Sequence, residues 1–241
     1  MNGEWRSAPQ DIRALQVGRR MDPHIGNRYM KRRFLGKLGM GTLVALALAG
    51  ASFAQTPDEA PDALVKRLST DVLESIKADK SIQSGDIAKV VALVESKIMP
   101  NVNFERMTAS AVGPGWRQAT PEQKKRLQDE FKILLVRTYA GALAQVNDQT
   151  ISMKPLRASP EDKEVVVKTE VKGRGEPIQL DYRLEKTPGQ GAGWKIYNLN
   201  VLGVWLVETY RSQFAQEISA KGIDGLIAAL TERNKTNAKK V

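Results

Sequence analysis

The apolar residues change period twice along the chain, and that change limits the fold more than any single motif. Over residues 62–80, Leu64, Leu68, Val72 and Ile76 recur every four residues, as one face of a helix requires. After Ser84-Gly85-Asp86 the spacing resumes at Ile87, Val90, Val91, Val94 and Ile98. Pro100 stops it, because proline removes a backbone donor and clashes with the preceding turn. Residues 103–111 predict a short third helix before the turn Gly113-Pro114-Gly115-Trp116. Thr120-Pro121-Glu122-Gln123 then opens a fourth helix with a capping hydroxyl, proline at the first helical position, an acid at the positive end of the dipole and a reciprocal Gln. It is predicted to reach Val146, with Leu127, Phe131, Leu134, Leu135, Tyr139, Ala142 and Val146 on its buried side.

Period two takes over in residues 151–156, 164–171, 177–186 and 193–202, separated by Pro, Gly and charged turns, as in consecutive antiparallel strands. In the third, Ile178, Leu180, Tyr182 and Leu184 alternate with Gln179, Asp181, Arg183 and Glu185, so one face is buried and the other wet. Beyond Gly203 the helical spacing returns at Leu206, Tyr210, Phe214 and Ile218, and Gly222 stands where a left-handed C-cap is expected. Ile223, Leu226, Ile227 and Leu230 mark a last helix, and 234–241 reads as a polar basic tail that frays. Helices, a run of strands, then helices predict an α+β domain over 62–233, with helices packed on one face of an antiparallel sheet of about four strands.

The N-terminal part reads differently. Lys31, Arg32, Arg33 and Lys37 precede the apolar, small-residue run 38–51, and Ser52-Phe53-Ala54 supplies small residues for a signal peptidase. Residues 30–54 are therefore expected to be a secretory signal cleaved after Ala54, with Ala51 as the second site, and 55–61 a linker. The alternative, a retained anchor, is short of the roughly 20 apolar residues a span requires. Residues 1–29 lack apolar periodicity and fit a mis-set start, with Met30 or else Met21 as the true first residue.

Cleavage changes the available chemistry. It removes 9 of 37 basic residues, 3 of 27 acids and the only histidine, His24, leaving 187 residues with 28 basic groups against 24 acids, a formal charge of +4. Nucleic-acid binding is not expected at that balance. With no Cys or His, thiol and imidazole catalysis, thiolate or imidazole metal sites and disulfides are excluded from the processed chain. Lys124-Lys125-Arg126 with Lys235, Lys239 and Lys240 could steer toward an acidic surface, though such runs are ordinary on solvated helices.

Bulky groups from several elements can line a cavity between helices and sheet: Phe104, Met107, Phe131, Leu135, Tyr139, Tyr182, Leu184, Trp205 and Tyr210. Each is equally suited to ordinary core. An enzyme using Asp181 and Tyr182 to polarise a carbonyl is a third reading, opposed by strand geometry, since adjacent residues point to opposite faces.

The ordered set Asn103-Phe104 with Met107-Thr108; Gly113 and Trp116-Arg117; Ala119-Thr120-Pro121-Glu122-Gln123; Phe131 with Arg137-Thr138-Tyr139; Asp181-Tyr182-Arg183; Trp194-Lys195-Ile196-Tyr197; residues 203–214; and Lys221 through Leu226 resembles the MlaC family. That family is the periplasmic phospholipid shuttle of the system maintaining outer-membrane lipid asymmetry. The resemblance implies a non-enzymatic carrier without cofactor, an acyl-chain pocket with the phosphate near solvent, and two partners: an inner-membrane lipid ABC transporter complex and an outer-membrane lipoprotein complex. Leu134 and Val201 join the expected lipid contacts, and Tyr139, Tyr182 and Arg137 are expected at the mouth, since Tyr joins ring to polar tip and Arg binds phosphate bidentately. Trp205 stands where the family usually has a small polar residue and is expected to narrow the pocket. That departure keeps a hopanoid-type cargo open, and a closed-core interaction protein remains the alternative from another class.

Overall fold

Where the periods break, the backbone turns. The structure, a computed structural model, describes residues 58–238; the expected signal, its cleavage site and the upstream extension lie outside the described residues. Helix α1, Pro61–Ala78, starts with proline in its first turn and turns Leu64, Val65, Leu68 and Ile76 inward. It stops at Asp79, whose extended backbone frees the carboxylate to accept from the Ser81 N–H at 2.8 Å and cap the short α2, Lys80–Gln83. Asp86 caps α3, Ile87–Leu93, by accepting from the N–H groups of Ala88 and Lys89.

The single helix expected over 87–98 is instead α3, a π turn at Val94–Ile98 and a 3-10 turn at Met99–Asn101. Two local causes meet there. The Ser96 hydroxyl donates to the Ala92 carbonyl at 2.7 Å, competing for a ladder acceptor, and Pro100 has no N–H to continue the ladder.

Helix α4, Phe104–Val112, is capped by Asn103 and followed by a 3-10 turn at Gly113–Arg117. Helix α5, Pro121–Leu143, carries the expected capping box, Thr120 and Gln123 each bonding the other's backbone. It ends three residues before Val146, which stays buried in the following turn.

Five strands form one antiparallel meander: β1 (Thr150–Met153), β2 (Glu164–Lys172), β3 (Ile178–Lys186), β4 (Trp194–Val201) and β5 (Val204–Trp205). The fifth strand is new. Leu202 and Gly203 both adopt positive φ, 52° and 86°, which folds Val204–Trp205 back on β4 as a tight hairpin.

Helix α6, Leu206–Ala238, begins where the Asn198 side chain accepts from the Val207 N–H and is broken at Gly222, φ 69° and ψ −171°. The glycine expected as a left-handed cap thus takes positive φ with an extended ψ, a conformation open essentially to glycine alone. Its second stretch runs alongside α5 in the same direction: Gln123 meets Asp224, and Glu130 accepts from Thr231 and Asn234, at 2.8, 2.7 and 2.7 Å. The expected frayed tail is therefore helical to Ala238, with Asn234 buried and anchored.

Cross-strand partners share a face, so the register sorts the sheet. Val165, Val167, Thr169 and Val171 of β2 stand beside Leu184, Tyr182, Leu180 and Ile178 of β3 on the helix-covered side. In β4, Ile196 pairs with Leu184 but Asn198 with Arg183, leaving Tyr197 as an extra residue. That bulge reverses the alternation, so Trp194 and Ile196 face inward before it and Leu199 and Val201 after it.

Candidate interior pocket

The inward face of the sheet has a sealed end and an open end. At the sealed end Val167 and Leu184 are fully buried beside Val165, Trp194 and Ile196, under Leu64, Val65 and Leu68 of α1. Toward the other end, Ile151, Val171, Ile178, Leu180, Leu199 and Val201 are only half-buried, although they share the face that the helices cover.

A second buried cluster fills the space between α4, α5 and α6. Its centre is Phe131, with ring centroids 5.8 Å from Phe104, 5.0 Å from Tyr210 and 5.2 Å from Phe214, the last two edge-on. Leu135, Tyr139, Leu199 and Val201 fringe it, half-buried. A third cluster joins α1, α3 and α5 around Ile76, Val90 and Val136. A domain this size usually has one contiguous core. Here the buried residues fall into separate clusters, with half-buried apolar groups such as Val72 and Val102 between them.

The tyrosines report the same space. Burial pushes the Tyr139 phenol far up, with the neighbouring Tyr210 phenol adding to it, yet Tyr139 is half-buried and has no hydrogen-bond partner among the described residues. Burial likewise raises Tyr182, whose hydroxyl meets only the edge of bonding distance from Ser69 on α1, 3.5 Å. Both remain neutral donors with spare capacity.

Of the twelve residues singled out from the sequence, Phe104, Met107, Phe131, Leu134, Leu184 and Tyr210 are buried core around this space. Leu135, Tyr139, Tyr182 and Val201 are its half-buried inward neighbours. Two are elsewhere. Trp205 pairs with Asn200 and lies on the outer face, its ring stacked 3.9 Å from the guanidinium of Arg183. Arg137 donates to the Asn234 carbonyl and lines an open cleft of ≈ 450 Å³ with Ser84, Gly85, Asp86, Ile87 and Ala238. Two residues from Tyr139 on a helix, it points to another side.

Reading the sequence missed Met153, Leu180 and Leu199 as half-buried groups of the inward face. The first two were legible from alternation; Leu199 was hidden by the bulge. Asp181 and Tyr182 do part to opposite faces, Asp181 accepting from Gln179 at 2.8 Å on the outer side. Among the described residues no three His, Cys, Asp or Glu side chains gather as a metal site.

A family model described as MlaC protein matches residues 66–232. The chain is 30% identical over 173 residues to the toluene tolerance protein ttg2D of Pseudomonas putida, covering 71% of this chain and 77% of that one. It is 22% identical over 192 residues to the intermembrane phospholipid transport system binding protein MlaC of Haemophilus influenzae, covering 79% and 88%. The solved structure of the phospholipid-binding protein from Ralstonia solanacearum, in complex with a phospholipid, matches with TM-score 0.71 at 50% identity, covering 73% of this chain and 98% of that one.

Proposed function

This chain belongs to the MlaC family, and from that premise we propose how it works: it is a periplasmic phospholipid carrier that takes the acyl chains between the sheet and α5 and leaves the headgroup at the open end. The observation that carries this reading is the two-ended inward face, sealed at Leu184 and half-buried at Leu180 and Val201. An apolar space without acid pairs or metal ligands is suited to holding a lipid rather than transforming it. Each CH₂ taken from water contributes about 0.8 kcal/mol, so a few turns of enclosed chain suffice for retention across an aqueous gap.

Leu135, Tyr139, Tyr182 and Val201 are the proposed lipid contacts, while Phe104, Met107, Phe131, Leu134, Leu184 and Tyr210 shape the walls behind them. Export by residues 30–54, and exchange of cargo with an inner-membrane lipid ABC transporter complex and an outer-membrane lipoprotein complex, complete the proposal. The phospholipid complex of the Ralstonia solanacearum protein supports the cargo class at 50% identity.

Native mass spectrometry of the protein purified from a periplasm without detergent, followed by organic extraction, tests this. Stoichiometric phospholipid is expected. A polycyclic lipid in its place moves the cargo to the hopanoid class, and a protein that stays empty after incubation with phospholipid vesicles overturns the carrier.

A further inference from the structure

Ser69 carries a helical hydroxyl that is turned away from its own helix. The hydroxyls of Ser75, Thr108, Thr138, Thr209 and Thr231 each donate to the carbonyl four residues back, at 2.7, 2.8, 2.7, 3.0 and 3.0 Å. Ser69 instead faces Tyr182 of β3, whose phenol oxygen stands 3.5 Å away, at the limit of a hydrogen bond. The Thr169 hydroxyl beside that phenol is fully buried and donates to the Leu180 carbonyl at 2.8 Å.

The two hydroxyls come from opposite walls of the interior. Ser69 follows Leu68 on α1, and Tyr182 stands on the inward face of the sheet, beside Val167 of β2 and Leu199 of β4. Both are half-buried, and the groups around them, Leu68, Val72, Val167 and Leu184, are apolar. A phenol and a serine hydroxyl each offer a donor and lone pairs, and a contact this long leaves most of that capacity unused. A plain hydrocarbon chain laid against them displaces water without replacing its hydrogen bonds. A chain that bears a hydroxyl replaces them, accepting from one wall and donating to the other.

We propose that Ser69 and Tyr182 form a subsite for a hydroxyl on the acyl chain of the cargo, so that the carrier favours a phospholipid hydroxylated at mid-chain over its plain counterpart. The depth follows from β3: Tyr182 is two inward positions beyond Ile178 at the open end and one short of the enclosed Leu184. This rests on the carrier reading above and adds recognition of the chain to it.

The test uses the full chain, freed of lipid and incubated with vesicles that hold equal amounts of a phosphatidylglycerol with a mid-chain hydroxyl on one acyl chain and the same lipid without it. Native mass spectrometry separates the two by the mass of one oxygen and reads the bound ratio for the wild type, Ser69→Ala, Ser69→Thr and Tyr182→Phe. The wild type is expected to favour the hydroxylated lipid about fivefold, with the ratio falling to about one in Ser69→Ala and in Tyr182→Phe and retained in Ser69→Thr. A wild-type ratio near one overturns the proposal, as does a preference that survives in either Ser69→Ala or Tyr182→Phe. Melting midpoints are the second arm. If these two variants lose stability and bind less of both lipids with the ratio kept, the pair is a brace between α1 and β3 and the subsite assignment fails. A wild type that takes up neither lipid is a different failure, that of the carrier itself.

Discussion

Trp205 shows how one residue's meaning depends on the face it occupies. Two residues of β5 place it beyond β4, opposite Asn200, where the indole covers Arg183. Arg183 in turn binds Glu208, and Asn198 donates to the same carboxylate at 2.8 Å, so the stack is one layer of a polar assembly on the outer face. Burial works to raise the Glu208 carboxyl, but the bonds from Arg183 and Asn198 together hold it below its ordinary value. Trp205→Ala removes a cation–π contact of about 0.5–1 kcal/mol at a partly exposed site. We expect urea unfolding to register a loss of that size, and extracted lipid per protein to stay at the wild-type level. A change of cargo in this variant would return the indole to the pocket.

At the scale of elements, the link between α4 and the sheet is ionic. Arg106 binds Glu164 of β2 and Glu185 of β3 and lies 3.7 Å over the ring of Tyr197, the bulged residue, whose hydroxyl donates to Glu164 at 2.8 Å. Asn103, the cap of α4, donates to Glu185 at 2.6 Å. The Arg106 bond first, and the Tyr197 hydroxyl second, hold the Glu164 carboxyl below the ordinary carboxylate range. Its folded pKa is thus lower than its unfolded one. The stabilisation is complete above the unfolded value and is lost as pH falls through the folded value. Because Glu164 is half exposed, the effect is modest. Melting midpoints of wild type and Glu164→Gln, compared from about pH 7 down to about pH 3, are expected to differ at neutrality and converge in acid. A gap that widens on acidification contradicts the assignment.

For the whole molecule, the uneven closure of the core decides where added volume is tolerated. Leu184 is fully enclosed at the sealed end, so Leu184→Trp overpacks it and is expected to cost about 1–3 kcal/mol. Val201 is half-buried at the open end, where the same indole has room. Val201→Trp is expected to keep the melting midpoint within a few degrees and to reduce bound phospholipid several-fold by filling the space of the chains. Circular dichroism and lipid extraction on the two variants separate the cases. If Val201→Trp unfolds as readily as Leu184→Trp, the interior is a closed core and the pocket is misplaced.

Much of this was legible from local pattern. Leu64 to Ile76, the Thr120–Gln123 box and the alternation from Ile178 to Leu184 each prescribe an element through contacts between residues near in sequence, and the α+β class follows from their order. The break at Asp79, the π turn before Pro100 and the helical anchoring of Asn234 depend on which backbone or side-chain partner wins a competition, and pattern does not rank those partners. The pocket lies further still from local pattern. Whether Leu199 faces in or Trp205 faces out depends on a bulge and a hairpin set by packing between distant segments. The chain itself determined which residues are apolar and which elements they make. Only the tertiary structure decided which of them close the core and which leave it open, because a cavity is a property of surfaces from separate elements and belongs to none of them singly.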